Sequence, residues 1–579
     1  MAKIARKRKI LLIPVLLTIC SLFPTSGVNA KSLRYSKHYE SEELIRRLRN
    51  GFISGSSSER DSSLSVSQSN SDSSSLSGSG SISGSISESY GSLSISQSHS
   101  DSSSLSEQSN SSDNTADKAW RRARSGDCLK TEEFPGTVIL GRPTKNEITM
   151  SIVMDAKLDQ MELLIFEGNS RSIPVQTLEI PTSSRRNEVI EMEISGLQEN
   201  FRYTYQFRYH RKERLYCGPE HTFHTQRPPG EPFTFAITAD SHFGTPNHCN
   251  PDRWEQTLHN VHADKPDFFI DLGDTFRVSK VKDWNKKKIE QVFLLQRPYL
   301  EIAAQDSFMY FVKGNHELQI GSLLDDTPDN IARVCANAQL KYVPNPKPNS
   351  FYKGNENPEQ FIVSGGLLEN YYAWEWGDAL FVILDDYWYS GNDGKESWDV
   401  SLGYEQFKWL ENTLKESNAN FKFIMHHHVS GSTRGGIEKT GYFEWGGLTP
   451  GDTPHDDVWG FSEHRKGWGE KPIHDILVEN GVNAVFQGHD HLYTKQDHKD
   501  GIIYVTCPMP GYDPDKFWGY DNDNSEYFET GIKLAPSGHL RVDISSKKAV
   551  ITYILSKISE DDPANGLNGE EAHTFEIII

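Results

Sequence analysis

Residues 485–493, VFQGHDHLY, place His489 and His491 one residue apart just after a short apolar run. On a loop leaving a strand, both imidazoles can turn toward one point, and imidazole holds zinc, manganese or iron. Such a segment alone could equally be a histidine-rich surface turn. Four other apolar runs end in the same manner. FTFAITAD ends at Asp240, with His242 two residues on, and PDFFIDLGD ends at Asp274. SFMYFVKGNHE leads to Asn315, His316 and Glu317, and NFKFIMHHH leads to His426. Singly, Asp240 or Asp274 could cap a helix, Asn315 could hold a turn with Gly314, and His426 could belong to an exposed run. Together these carboxylates, imidazoles and an amide carbonyl form the donor set of a two-metal site. One carboxylate must touch both ions, because they lie about 3.5–4 Å apart when they share a hydroxide. Such a pair polarises a phosphate and lowers the pKa of the shared water.

The elements that must carry these groups are buried strands of four to six residues alternating with helices. Helical patterns cover 404–416 (YEQFKWLENTLKE) and 470–481 (EKPIHDILVENG). That alternation predicts an α/β domain with its functional strand ends on one sheet edge. SGHLRVDISSKKAVITYILS reads as a closing hairpin, giving a catalytic domain at 231–556 and a C-terminal tail at 557–579. Within it, DALFVILDD is another buried strand, ending at Asp385 and Asp386. Tyr387, Trp388 and Tyr389 follow, able either to contact the organic part of a substrate or to pack in the core. The glycine-rich stretch 428–447 reads as a loop over the site, with Arg434 as a substrate contact. Ahead of this domain, short alternating runs between Gly, Pro, Asn and Asp predict a small antiparallel sandwich at 136–226.

The ordered blocks D-x-H, GD-x-x-R, GNHE, a later strand-terminal His and GH-x-H resemble the calcineurin-like metallophosphoesterase family, which includes the purple acid phosphatases. The resemblance covers about 230–555. The preceding sandwich resembles the fibronectin-like N-terminal domain of purple acid phosphatases and alkaline-phosphatase-D-like enzymes. The implied catalytic fold is a four-layer α/β/β/α sandwich. The resemblance implies that Asp240, His242 and His491 hold one ion, that Asn315, His426 and His489 hold the other, and that Asp274 bridges them. It implies that His316 stays off the metals and assists the phosphoryl or leaving oxygen. In the HHH run, His426 directly follows KFIM and is taken as the ligand; His428 shares its side and is the rival, while His427 points away on an extended backbone.

Two positions depart from the purple acid phosphatases. Arg277 stands where their GD-x-x-Y block has its tyrosine, and His242 stands where they normally lack a histidine. Manganese, zinc or ferrous iron therefore fits better than a tyrosinate-bound ferric ion. Arg277 either holds a phosphate oxygen through its donor fork or pairs with an acid such as Asp274. Glu317 either orients His316 or a ligand imidazole, or is merely exposed. The implied activity is dinuclear-metal-dependent phosphoester hydrolysis by a metal-bridging hydroxide, on small-molecule phosphomonoesters. The alternatives are a phosphodiesterase or nucleotide hydrolase, or a surface binding protein on an inactive scaffold.

The start of the chain reads as a signal peptide over 1–30: basic residues from Lys3 to Lys9, an apolar stretch from Ile10 to Phe23, and Val28-Asn29-Ala30 as a cleavage site. Pro14 and the short apolar stretch argue against a stable membrane span. The expectation is a secreted, periplasmic or cell-surface protein. Removing five positive charges takes the formal net charge from −20 to −25, which disfavours any long nucleic acid as a partner. Five cysteines then remain, allowing one or two disulfides with at least one thiol left over. Residues 31–50 could form a short helix. Serine dominates 51–120, where QSNSDSSSLS returns as QSHSDSSSLS, a composition that predicts disorder. A linker at 121–135 leads to the sandwich.

Overall fold

Alternate side chains of the apolar runs enter two different cores, and that alternation sets the layers. A computed structural model describes residues 128–579 except 172, 182–186, 245–247, 392–399, 431–434, 436, 438–447, 450–457, 513–527, 536 and 562–565. The expected signal peptide, the 31–50 helix, the serine-rich segment, part of the linker and Arg434 lie outside the described residues.

Strands β1 (Phe233–Thr238), β2 (Phe268–Asp271) and β3 (Phe308–Phe311) run parallel in the order β3-β2-β1. The intervening helices are α1 (Pro251–Asp264), α2 (Lys286–Ala304) and, after β3, α3 (Ile331–Tyr342). Phe235 and Ile237 of β1 and Phe268 and Ile270 of β2 point into one core. Ala236 and Phe269 point the other way, onto Trp254 and Leu258 of α1 and Phe293 of α2. Helix α1 starts where Asn250 accepts from the Asp252 and Arg253 amides with Pro251 in the first turn, and it stops at Lys265 in a left-handed conformation.

The second sheet contains β4 (Tyr372–Trp376), β5 (Ala379–Ile383), β6 (Phe421–Met425), β7 (Ala484–Gln487), β8 (Tyr493–Asp497) and β9 (Ile503–Thr506). Its central strands β5, β6, β7 and β9 are parallel neighbours. Helices α4 (Gly403–Glu416) and α5 (Ile473–Glu479) cover the outer face through Phe407, Leu410 and Ile476 against Val382, Ile424 and Val485. Phe381, Phe423 and Phe486 point inward and meet Phe235 and Phe268 of the first sheet. The layers are therefore helix, sheet, sheet, helix.

Strands β10 (Gly538–Ser545) and β11 (Lys548–Leu555) form the antiparallel closing hairpin and extend the first sheet from β1. The stretch expected as a tail contributes one more strand, β12 (Glu571–Ile578), paired with β11 at the sheet edge. Its side chains are largely exposed, so no apolar run marked it.

Ahead of the catalytic domain, Gly136–Gly141, Ile148–Met154 and Val189–Ile194 form a three-stranded sheet. Leu129–Lys130, Gln160–Glu167, Gln176–Ile180, Arg202–Arg211 and Arg214–His224 form a five-stranded one. Leu140 and Ile152 of one sheet share a core with Leu163 and Phe207 of the other. The first described residues fall inside the stretch expected as linker: Leu129–Lys130 pairs with Tyr216–Cys217, and Cys128 is disulfide-bonded to Cys217. Cys249, Cys335 and Cys507 are buried free thiols. The seam with the catalytic domain is polar and buried: Arg297 of α2 donates to the Ser151 carbonyl at 2.8 Å, the Tyr342 carbonyl at 2.5 Å and Thr137 Oγ1 at 3.0 Å. Glu301 accepts from the Val138 amide at 2.9 Å.

Candidate metal centre

The strand ends converge on Asp274. Its Oδ2 lies 3.6 Å from His242 Nε2, 3.4 Å from His427 Nε2 and 3.8 Å from His316 Nε2. On one side, His491 Nε2 stands 3.4 Å from Asp240 Oδ1 and 2.8 Å from His242 Nε2. On the other, His427 Nε2 is 3.2 Å from Asn315 Oδ1, and its ring centre is 5.5 Å from that of His489. The ligand atoms of Asp240, His242, Asp274 and His491 all lie within 4.8 Å of one another.

This packing suits positive charge. Asp240 Oδ1 is buried and has no hydrogen-bond partner, while two imidazole Nε2 atoms face each other beside it. Burial drives His242 well below the usual histidine range, so its nitrogen keeps a lone pair. For Asp240, burial works against ionisation, but contacts from His242 and His491 hold the carboxyl low. His427 is pushed up to about 10: burial opposes its charge, and the field of Asp274, Asp240 and Glu317 outweighs it. The donors fit two divalent metal ions.

The backbone is bent to achieve this. Asp240, His242, Asp274, His489 and His491 all take left-handed φ, between 46° and 72°. Non-glycine residues rarely do so, and such strain gathers at functional sites. Glycines make the close approaches possible: a Cβ on Gly273 would lie 2.5 Å from the Gly314 nitrogen. Glu317 then ties the two turns together. Its oxygens accept from the amides of Asp274 (3.0 Å), Thr275 (3.0 Å), Phe276 (2.8 Å) and Gly314 (2.7 Å). Burial and the adjacent Asp274 push its carboxyl up to about 8, against the pull of those donors.

The structure corrects two expectations. His426 does not face the cluster: its Nδ1 lies 3.2 Å from Asp386 Oδ2 and its Nε2 3.2 Å from Ser430 Oγ. The extended alternation of β6 continues past Met425, so His427 shares the inter-sheet side with Phe423 and Met425, and His426 shares the helix side with Ile424. His428 is buried, with Nδ1 3.0 Å from the Val429 carbonyl and its ring 4.8 Å from that of His489. Glu317 is neither exposed nor an imidazole orienter; it clamps backbone. His316 remains at the rim, 23% exposed, with Nδ1 bonded to Ser279 Oγ. Arg277 is buried, and its charge acts on His316, His248 and Cys249. Tyr387 and Trp388 are buried, the Tyr387 ring 6.1 Å from that of His427. Ser279 carried no readable signal, and Asp386 was visible only as the end of a buried strand, a place where an acid has many ordinary uses.

The calcineurin-like phosphoesterase family pattern matches residues 233–493, which span every one of these groups. Human tartrate-resistant acid phosphatase type 5 is 23% identical over 302 residues, covering 50% of this chain and 75% of that protein. The Oryctolagus cuniculus protein of the same name is 21% identical over 301 residues, with the same coverage. Among solved structures, PhoD is similar with a TM-score of 0.53 and 14% identity, covering 76% of this chain and 88% of that one, which speaks for the fold. A purple acid phosphatase from yellow lupin gives 0.48 at 14% identity, covering 76% and 74%. With the strand-end cluster inside the matched segment, residues 233–493 form a calcineurin-like phosphoesterase domain, and the chain is a metal-dependent phosphoesterase.

Proposed function

We propose that this chain hydrolyses small phosphomonoesters outside the cytoplasm. Asp240, His242 and His491 would hold one ion and Asn315, His427 and His489 the other, with Asp274 placed between the two sets. The observation that carries this reading is Asp274 Oδ2, within 3.6 Å of His242 on one side and 3.4 Å of His427 on the other. Bound there, the two ions supply Lewis acidity to the phosphoryl oxygens and lower the pKa of a water. The chain's own groups complete the site. Ser279 Oγ is a hydrogen-bond partner of His316 Nδ1; with the hydroxyl as donor, the ring proton sits on Nε2, the nitrogen turned toward Asp274. His316 can thus donate to the phosphoryl or leaving oxygen without occupying a metal position. Arg277 adds positive charge beside it, suited to a phosphate oxygen.

The monoester reading leans on the likeness to the acid phosphatases and on the fibronectin-like character we assign to the sandwich. Export is supported by the Cys128–Cys217 disulfide, which persists in oxidising compartments, and by the signal-like first 30 residues. Among the described residues, no helix is long and apolar enough to cross a membrane. Side-by-side turnover of an aryl phosphate monoester and its diaryl diester, with added manganese or zinc, tests the substrate class. The reading requires kcat/KM to favour the monoester; a preference for the diester would assign the site to phosphodiester or nucleotide hydrolysis.

A further inference from the structure

A second cluster of metal-ligating side chains lies away from the strand-end centre. His474 comes from α5, and His498 and Asp500 from the turn joining β8 to β9. Because β7 and β9 are parallel and the centre follows the end of β7, a turn that precedes β9 sits at the opposite edge of the sheet. His474 Nε2 and His498 Nδ1 each stand 3.2 Å from the same oxygen, Asp500 Oδ2. The ligand atoms of all three lie within 4.8 Å of one another, and the two rings are 4.3 Å apart.

Hydrogen bonds within the protein account for only half of this geometry: His474 Nε2 is within hydrogen-bond distance of Asp500 Oδ2, but His498 Nδ1 is not so served. The Asp500 amide donates to His498 Nδ1 at 3.2 Å, so that nitrogen is an acceptor and has no proton for the carboxylate. Yet Asp500 Oδ2 faces it at the same distance, acceptor against acceptor. A cation between them removes the conflict. A tetrahedral ion about 2.0–2.1 Å from each ligand sets ligand atoms about 3.3 Å apart, close to both N···O separations. His474 Nδ1 lies 2.8 Å from Tyr504 Oη, a partner that fixes the ring and can take the Nδ1 proton, leaving Nε2 its lone pair. Asp500 is 38% exposed, so an ion has an entry path and a fourth position open to water.

We propose that His474, His498 and Asp500 bind a separate divalent transition-metal ion, zinc by donor type, that pins the β8–β9 turn to α5. The proposal does not depend on how the strand-end centre works. The test uses the full chain, stripped with chelator, reloaded with zinc, desalted and analysed for bound metal and thermal midpoint. Wild type should retain one more zinc per chain than His498→Gln or Asp500→Asn. Zinc should also raise the wild-type midpoint more than that of either variant, with phosphoester turnover unchanged. The one-ion difference should persist on an Asp274→Asn background, which separates this site from the catalytic one. Equal zinc content in wild type and both variants would overturn the proposal and leave the cluster as a hydrogen-bonded turn. Should His498→Gln fail to fold, Asp500→Asn, at the exposed ligand, decides the matter alone.

Discussion

Two buried polar clusters in this chain are put together in opposite ways. At the seam between sandwich and catalytic domain, Arg297 points five hydrogen bonds at Thr137, Ser151 and Tyr342, and burial brings its pKa down only to about 10. That cluster is complete as protein, and it sits on regular helix and strand. At the strand ends, Asp240 Oδ1 lacks a partner, two imidazole nitrogens oppose each other, and five ligand-type residues hold left-handed backbone. That cluster leaves a buried carboxylate oxygen for cations to answer. Burial alone therefore does not distinguish structure from function; the difference lies in whether protein atoms answer the polar groups.

The comparison breaks most visibly at His427. Replacing it with Ala removes a donor to one ion, and we expect bound metal to fall and kcat/KM to drop by about 10²-fold or more. His426→Ala removes a ring that Asp386 and Ser430 hold from behind, so it should keep both ions and lose about 10- to 100-fold through misplacement of its neighbour. Metal analysis of the two variants settles which histidine faces the site: an ion lost from His426→Ala and kept by His427→Ala would reverse the assignment.

His316 sharpens the division between holding metal and using it. His316→Asn should retain its ions and thermal midpoint while losing activity within about 10²- to 10⁴-fold. The loss should shrink for esters of acidic leaving groups such as nitrophenol, which need less protonation as they depart. An equal loss on good and poor leaving groups would make His316 a phosphate-orienting group instead.

At the seam the expected effect falls on stability. Arg297→Met strands the buried Ser151 and Tyr342 carbonyls, a loss on the order of 3 kcal/mol. Turnover per folded molecule and metal content should stay at wild-type values. A fall in bound metal at an unchanged midpoint would mean that the two clusters are coupled through α2.

Much of the fold was readable because each inner strand is an apolar run whose alternate residues enter different cores, as with Phe235 and Ile237 against Ala236. Helical patterns were visible at 404–416 and 470–481, and Gly314 beside Asn315 marked a turn. Strand β12 was not readable, since an edge strand with one buried isoleucine leaves no run to see. The histidine run shows the limit most clearly. Alternation tells that His426 and His427 face opposite ways, but the side holding the site is set by where the second sheet packs, a long-range fact. Glu317 is similar: its role exists only because the turns at 274 and 314 meet in space. The left-handed conformations at Asp240, Asp274 and His489 belong to the assembled site, and nothing in the residue types announces them.

The central claim is that Asp274 joins two ions in one centre, and manganese reports on it directly. Electron paramagnetic resonance of the manganese-loaded protein should show a spin-coupled pair, as expected for ions about 3.5–4 Å apart under one bridging carboxylate. Asp274→Asn should lose that coupled signal together with phosphoester turnover. Isolated, uncoupled manganese in fully active wild-type protein, or a coupled pair and normal turnover in Asp274→Asn, would contradict the account.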